Sequence, residues 1–152
     1  MIQRKQTLFL LAAVILSVVC LCLPLGHFAD AGNLGQSSEL YNLWIMRPDG
    51  THDYSVWALF VILLITCPIA LIAIFMYHNR MVQSRFCLFN MLLVLGWYVV
   101  YAVFALNLKE SAGHYSISFS SILPLISLIL YFMARRAILA DEALVRAADR
   151  IR

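Results

Sequence analysis

The sequence predicts an all-α membrane fold: a four-transmembrane-helix bundle with a small extracytoplasmic β-hairpin or β-cap and a cytoplasmic extension of the last helix. Three observations lead to this prediction. The chain is 63% apolar and 12% charged, whereas soluble domains are roughly 45–50% apolar and about 25% charged. The apolar residues fall in four long runs, and the basic residues gather on one side of those runs. The 152 residues predict a single integral membrane domain, 1–152.

Four runs of the chain are long enough to be membrane spans. A helix needs about 20 mostly apolar residues to cross the roughly 30 Å hydrocarbon core of a bilayer. The fourth run is apolar as far as Ala134, and Arg135 and Arg136 extend it if their charged ends reach back to the interface. The first run follows Arg4 and Lys5, as a signal peptide would, but its apolar stretch of about 18 residues exceeds the roughly 7–15 of a signal-peptide core, which favours a retained span. The predicted spans are 7–25, 56–77, 86–106 and 120–136.

The distribution of positive charge predicts the orientation of these spans. Four spans place both termini on the same side as the 78–85 loop, opposite the outer loops 26–55 and 107–119. Positive residues in short loops stay in the cytoplasm, and nine of the 11 Lys and Arg residues lie on the side of the termini. Both termini are therefore predicted to be cytoplasmic. The nine are Arg4, Lys5, Arg80, Arg85, Arg135, Arg136, Arg146, Arg150 and Arg152, and the two on the other side are Arg47 and Lys109.

The outer loops contain signals for a small β-cap. Residues 40–46 are aromatic and apolar, 47–50 read Arg-Pro-Asp-Gly, and 51–57 resume with strand-favouring residues, which together predict a hairpin. Residues 115–119 alternate apolar and polar side chains and predict a third strand. The alternative is a pair of irregular loops whose aromatic side chains form an interfacial belt. Those side chains are Tyr41, Trp44, Tyr54 and Trp57.

The C-terminal residues 137–152 predict a cytoplasmic tail helix that continues the fourth span, because no helix breaker interrupts them. Ala137, Leu144, Ala148 and Ile151 share one helical stripe. Such a stripe suits docking on a partner, pairing with a second copy, or resting on the membrane surface; the alternative is a solvated helix end. The candidate docking residues are Asp141, Glu142, Leu144, Arg146, Asp149, Arg150 and Arg152.

The spans offer little chemistry. Their interiors contain no Asp, Glu, Lys, Arg or His, which counts against an ion-coupled transporter. Their polar side chains are expected to bond to backbone carbonyl groups or to neighbouring helices. The cysteines lie at different depths without a Cys-x-x-Cys motif, so they are interpreted as buried small apolar residues. The polar residues are Ser17, Thr66, Asn90 and Ser127, and the cysteines are Cys20, Cys22, Cys67 and Cys87.

The loops predict no enzyme, metal or cofactor site. No phosphate-binding glycine loop, nucleophile elbow or metalloprotease helix is present. The loop histidines could meet Asp49 and Asp53 at an outer metal site, but the spacing of these residues matches no metal-ligand motif. The basic residues form no dense stripe, so no nucleic-acid partner is expected. The loop histidines are His27, His52 and His114.

Both ends of the chain resemble a family of small bacterial four-helix inner-membrane proteins known as domain of unknown function 4293. The resemblance rests on the opening residues 1–7 (MIQRKQT) and on the tail segments 136–138, 141–142, 144–146 and 148–152. It implies the inner membrane of a Gram-negative bacterium, with the outer loops in the periplasm, and it implies no activity. It also implies that the charged tail positions form a docking surface, although Leu139 and Ala140 stand where basic residues are expected.

Three functions are compatible with these features. The first is a non-enzymatic scaffold or accessory subunit that contacts a protein partner, or a second copy, through the cytoplasmic tail helix, with the β-cap as a second candidate contact surface. The second is a homo-oligomeric carrier or pore for an apolar or neutral solute, which requires several copies because four spans enclose little space. The third is a membrane enzyme with its site among the His, Asp and Tyr residues of the periplasmic loops, which replacement of His52, Asp53 and His114 together would test.

Overall fold

The protein is described here by a computed structural model covering residues 3–29, 37–76, 79–112 and 114–149. Part of each outer loop, Tyr77 of the predicted second span, and Arg150 and Arg152 of the predicted docking set lie outside the described residues, as does the side chain of Asp149. The four helices are α1 (Gln3–Cys22), α2 (Trp57–Phe75), α3 (Arg80–Ala112) and α4 (Leu123–Asp149).

The helices form an up-and-down four-helix bundle. Each packs against the next along the chain, and α1 closes the ring by packing against α4. α1 and α3 finish at the end where α2 and α4 begin, and we call this the sheet end because the strands lie there. The opposite end carries Arg80, Arg85, Arg135 and Arg136, and we call it the basic end.

Two proline residues lie at helix ends, where their chemistry favours them, and a third lies inside a helix. α1 ends at Cys22, two residues before Pro24, and Pro124 occupies the first turn of α4, where its missing N–H group costs nothing. Pro68 lies inside α2, which continues through it to Phe75. A short 3₁₀ turn leads into α2 (Tyr54–Val56), and another leads into α4 (Phe119–Ile122).

Three helical segments are long and apolar enough to cross a membrane: Tyr54–Phe75, Arg80–Glu110 and Phe119–Ala148. α1 is apolar over Gln6–Cys22, and these 17 residues span about 26 Å at 1.5 Å per residue, slightly less than the hydrocarbon core of a bilayer. The predicted helical bundle with a small sheet is therefore confirmed, and three of the four predicted spans have the required length among the described residues.

The strands form one five-stranded antiparallel sheet in the order β4-β3-β2-β1-β5. The predicted turn is present: the Gly50 N–H group donates to the Arg47 carbonyl oxygen at 3.0 Å, and Gly50 takes a φ of 77°, which glycine adopts without strain. The strands are β1 (Gly26–Ala29), β2 (Ser37–Leu40), β3 (Ile45–Met46), β4 (His52–Asp53) and β5 (His114–Ile117).

The sheet is larger than the one predicted, and its strands have different bounds. The predicted arm 40–46 is divided, because Leu40 ends β2 and residues 41–44 make the connection to β3. Within the predicted arm 51–57, only His52 and Asp53 form a strand, and the 3₁₀ turn follows them directly. The predicted third strand forms at 114–117 and pairs with β1, not with the hairpin. β1 and β2 were not predicted, because four-residue strands beside a span carry too little alternation to be recognised.

The buried side chains form two clusters, one in each half of the bundle. The cluster at the sheet end joins Phe28, Leu40 and Ile45 of the strands to helical residues such as Leu59 and Trp97. The cluster towards the basic end is purely helical and includes Leu10, Tyr131 and Ile138. The sheet therefore shares its hydrophobic core with the half of the bundle at the sheet end.

Candidate functional site

The C-terminus of α1 has a backbone carbonyl group that the helix itself cannot satisfy. In an α-helix the carbonyl of residue 20 accepts from the N–H of residue 24, and Pro24 has no N–H. Asn42, in the connection between β2 and β3, supplies the missing donor: its Nδ2 lies 2.8 Å from the Cys20 carbonyl oxygen. The Trp97 indole Nε1 donates to Asn42 Oδ1 at 3.2 Å. The fully buried Asn42 side chain thus joins the cap to α1 and to α3.

Aromatic residues of α3 extend this hydrogen-bonded network. The Trp97 ring stacks on Tyr101 with centroids 5.2 Å apart and meets Tyr98 edge-on at 5.0 Å. The Tyr98 hydroxyl donates to the Ser121 carbonyl oxygen at 2.8 Å, in the 3₁₀ turn that precedes α4. The Tyr101 hydroxyl donates to the Leu25 carbonyl oxygen at 3.4 Å. One turn and a half of α3 therefore contacts the segments that follow α1 and precede α4.

Tyr115 connects the edge strand β5 to the same network. Its hydroxyl group lies 2.9 Å from the hydroxyl of Tyr101, and its ring packs directly against Gly26 of β1. Burial raises the pKa of the Tyr115 phenol well above its usual range, and the hydrogen bond with Tyr101 raises it further. The phenol therefore remains protonated and available for hydrogen bonding at all physiological pH values.

The loop residues considered for an enzyme site, His52 and Asp53 together with His114, are not brought together. His52 and Asp53 belong to β4 and His114 belongs to β5, which are opposite edges of the sheet and about 19 Å apart at four strand spacings. Asp53 pairs with Arg47 at 3.3 Å and caps the following 3₁₀ turn. Within the described part of the chain, no three His, Cys, Asp or Glu side chains are grouped to hold a metal ion.

The polar side chains inside the bundle are mostly paired with backbone carbonyl groups, as predicted. The Ser17 hydroxyl donates to the Ala13 carbonyl oxygen at 2.9 Å, and that of Thr66 donates to the Leu63 carbonyl oxygen at 2.6 Å. Ser127 bonds across to α1, at 3.3 Å from the same Ala13 oxygen.

Asn90 and the cysteines depart from this pattern. Asn90 is fully buried and makes no side-chain hydrogen bond among the described residues. Cys20, Cys67 and Cys87 are buried, as predicted, but Cys22 is exposed at the end of α1, because it lies two residues beyond the inward-facing Cys20 and a two-residue step turns a side chain to nearly the opposite side of a helix.

Two ion pairs stabilise the basic end. The Arg80 Nη1 atom at the start of α3 lies 2.9 Å from Asp141 Oδ2 on α4, and the Asp141 side chain is 10% exposed. The Arg146 Nη2 atom lies 2.6 Å from Glu142 Oε1, one turn apart on α4, where the arginine side chain is 69% exposed. The first pair joins two helices in a partly buried setting, whereas the second lies along the surface of one helix.

The structure divides the predicted docking residues into two groups. Asp141 faces the bundle and pairs with Arg80, so it is unavailable to a partner. Glu142 is half-buried, whereas Leu144 is 63% exposed and Arg146 lies on the surface. All residues from 143 to 148 are exposed. The surface that α4 offers is therefore this last stretch, which begins after the bundle packing ends.

The partly buried ion pair predicts a measurable contribution to stability. Replacing Asp141 with Asn leaves the Arg80 guanidinium without a carboxylate, and we expect the free energy of unfolding to fall by about 1–3 kcal/mol, less than the 3–5 kcal/mol of fully buried pairs because Arg80 is partly solvated. Glu142→Gln is the matched control, and its exposed partner predicts a loss of about 0.5 kcal/mol. Denaturant titration of the purified protein in micelles measures both, and equal losses would contradict this difference.

Sequence reasoning missed the residues that join the cap to the bundle: Asn42, Trp97, Tyr101 and Tyr115. One signal was present, since Pro24 leaves the Cys20 carbonyl group without a helical donor. The sequence alone does not say which of many polar side chains supplies the donor, because the contact lies 22 residues away along the chain.

These features define a four-helix bundle with three helices long and apolar enough to cross a membrane, closed at one end by a small sheet and extended at the other by its last helix. The chain belongs to the family described as domain of unknown function (DUF4293), whose sequence profile matches residues 2–151. The resemblance seen at the two termini is therefore confirmed over almost the whole chain. No curated protein matches the sequence.

Proposed function

We propose that this protein is a non-enzymatic integral protein of the bacterial inner membrane, with four spans and cytoplasmic termini, that serves as a scaffold or accessory subunit. Its contact with a protein partner is made by the last turns of α4. The observation that carries the proposal is the continuation of α4 past the bundle, where its residues are exposed and include Leu144 and Val145.

The outward surface of the bundle supports membrane insertion. Large apolar side chains on all four helices point away from the core, including Leu11, Leu64, Leu92 and Ile129. Soluble monomers rarely expose contiguous apolar patches larger than a few hundred Å². A bilayer is the solvent that suits such a surface, and the uncharged stretch of α1 is long enough to be the fourth span when the bilayer thins slightly.

The length of α4 supports a contact outside the lipid. Asp149 lies 13 residues beyond Arg136, which is about 20 Å along the helix axis. The headgroup layer on each side of a bilayer is only about 5–8 Å thick. If Arg136 lies at the headgroups, Leu144 and Val145 project into water, where exposed apolar side chains on an amphipathic helix are typical of a protein contact.

Insertion and orientation are tested by alkaline extraction and by cysteine labelling. The protein should stay in the membrane pellet after carbonate washing. In a Cys22→Ser background, which removes the one described cysteine that is exposed, Asp49→Cys should react with a membrane-impermeant maleimide in intact cells, and Ala147→Cys should react only after lysis. Extraction by carbonate would disprove insertion, and the reverse labelling pattern would disprove the orientation.

The role of the tail is tested by truncation after Glu142. This position keeps Ile138 in the core and the Asp141 pair with Arg80, so the bundle should unfold at the same temperature as the full chain. We expect pull-down in mild detergent to recover a partner with the full chain and to lose it with the truncated one. Leu144→Ser should weaken the capture, whereas Ala147→Ser, also exposed, should not. Capture that is unaffected by truncation, or recovery of only a second copy of this chain, would refute a tail-dependent partner.

A further inference from the structure

Three arginines at the basic end, Arg85, Arg135 and Arg136, have no carboxylate partner among the described residues, and two of them are neighbours on α4. Arg80 pairs with Asp141 and Arg146 pairs with Glu142, whereas Arg135 and Arg136 form no ion pair within the described part of the chain. Their positions exclude a helical pair as well. The residues four before and four after them on α4 are all uncharged, so the i,i+4 arrangement that serves Arg146 is absent. These residues are Tyr131, Phe132, Leu139 and Ala140.

The same two arginines line an open cleft on the outside of the bundle. Its volume is about 240 Å³, and its other walls are Phe132 and Leu139. Phe132 is 51% exposed and lies one turn towards the middle of the bundle, and Leu139 is 41% exposed. The cleft therefore presents two positive charges next to apolar side chains, where the uncharged surface of α4 ends. An occupant that matches it has an anionic group joined to a hydrocarbon chain.

We propose that this cleft binds an anionic phospholipid, with the phosphate between Arg135 and Arg136 and an acyl chain along Phe132. Guanidinium groups form charge-assisted, forked hydrogen bonds with phosphate oxygens. Basic pockets on the cytoplasmic side of membrane helices bind the headgroups of anionic lipids. The bound lipid supplies the counter-charge that the protein itself gives to Arg80 and Arg146 but not to these two residues. This inference rests on the proposed membrane insertion.

The test is native mass spectrometry of the full chain released from micelles that contain equal amounts of phosphatidylcholine and phosphatidylglycerol with the same acyl chains. We expect the protein to retain phosphatidylglycerol preferentially. Arg135→Gln/Arg136→Gln should weaken its retention by about 30-fold, since each arginine near a membrane surface contributes a preference of roughly five- to sixfold. The matched control is Arg85→Gln/Arg146→Gln, which removes two charges from the same end outside the cleft and should retain the lipid.

Several outcomes would overturn the assignment. Equal losses in the two double variants would show a diffuse surface charge instead of a site. Displacement of the lipid by inorganic phosphate at millimolar concentration would show a simple anion site, and a co-retained acidic protein in place of lipid would show a protein contact. Arg135→Lys/Arg136→Lys keeps the charge but removes the forked geometry of the guanidinium groups, so its lipid retention should lie between those of the wild type and the Gln variant. If the Gln variant does not fold, the Lys variant decides the proposal: retention equal to that of the wild type would overturn the forked phosphate site.

The carbonate wash separates this inference from the proposed function. A wild-type protein that stays in the membrane pellet and shows no lipid preference refutes the cleft alone. A protein that is extracted by carbonate refutes membrane insertion, and the lipid site fails with it.

Discussion

Replacing Asn42 with Ala should lower the free energy of unfolding by about 2–6 kcal/mol, because it leaves two buried polar groups without a hydrogen-bond partner, at a cost of about 1–3 kcal/mol each. These groups are the Cys20 carbonyl oxygen, which receives the Asn42 Nδ2 hydrogen bond, and the Trp97 Nε1 donor. Neither gains access to water, since Asn42, Cys20 and Trp97 are all fully buried. Such a loss is a large part of the roughly 5–15 kcal/mol that stabilises most folded proteins.

Two further variants separate hydrogen bonding from packing at this position. Asn42→Leu restores the volume without the amide, so it should destabilise nearly as much as Asn42→Ala if the stranded polar groups dominate. Trp97→Phe removes the indole donor, and the double variant Asn42→Leu/Trp97→Phe should cost less than the sum of the single changes, with a coupling of about 0.5–3 kcal/mol. Denaturant titration in mixed micelles gives each free energy of unfolding.

Ser116→Ala is the control for these measurements. Its hydroxyl group donates to the His27 carbonyl oxygen at 3.3 Å in an exposed part of the same cap, so its loss should change stability by less than about 0.5 kcal/mol. An Asn42→Ala protein as stable as Ser116→Ala would show that the cap is not held to the bundle by these hydrogen bonds.

The helical part of the fold was predictable because its signals are long. Runs of about 20 apolar residues leave few alternatives to a membrane-type helix, and the tail of α4 continues because nothing in residues 137–149 interrupts it. The turn at 47–50 was also readable, since the order Arg-Pro-Asp-Gly places Pro48 where a φ near −65° is needed and Gly50 where a positive φ is needed.

The sheet and the candidate site were less predictable because they depend on long-range contacts. β1 pairs with β5, which follows it by more than 80 residues, through a register that places Phe28 opposite Tyr115. Asp141 looked like an exposed docking residue, yet it faces Arg80 from 61 residues away. The partner of a charged residue on a helix can be identified only when the position of the neighbouring helix is known. Neither the periodicity nor the composition of the sequence gives that position.

Gly26→Ala is expected to have the second-largest effect, because β1 approaches the Tyr115 ring too closely for a side chain. A Cβ atom at position 26 would overlap the Tyr115 hydroxyl oxygen and would lie 2.6 Å from Cζ and 2.8 Å from Cε2, whereas carbon atoms pack at about 3.5–4.0 Å. The ring must move, and its hydrogen bond with Tyr101 is lost. Overpacking of about 1–3 kcal/mol and a hydrogen bond of about 1 kcal/mol together predict a loss of about 2–4 kcal/mol.

The cause is tested by making the same change without the opposing ring. In a Tyr115→Ala background the added methyl group meets no aromatic ring, so Gly26→Ala should then cost less than about 1 kcal/mol, even though Tyr115→Ala itself destabilises the cap. Gly96→Ala is the matched control, since no atom lies within 4 Å of the new methyl group and the helix should gain up to about 1 kcal/mol from the better helix former. A Gly26→Ala penalty that persists at full size without the Tyr115 ring would place the constraint in the β1 backbone, and the cap would then depend on strand geometry more than on its aromatic contact with α3.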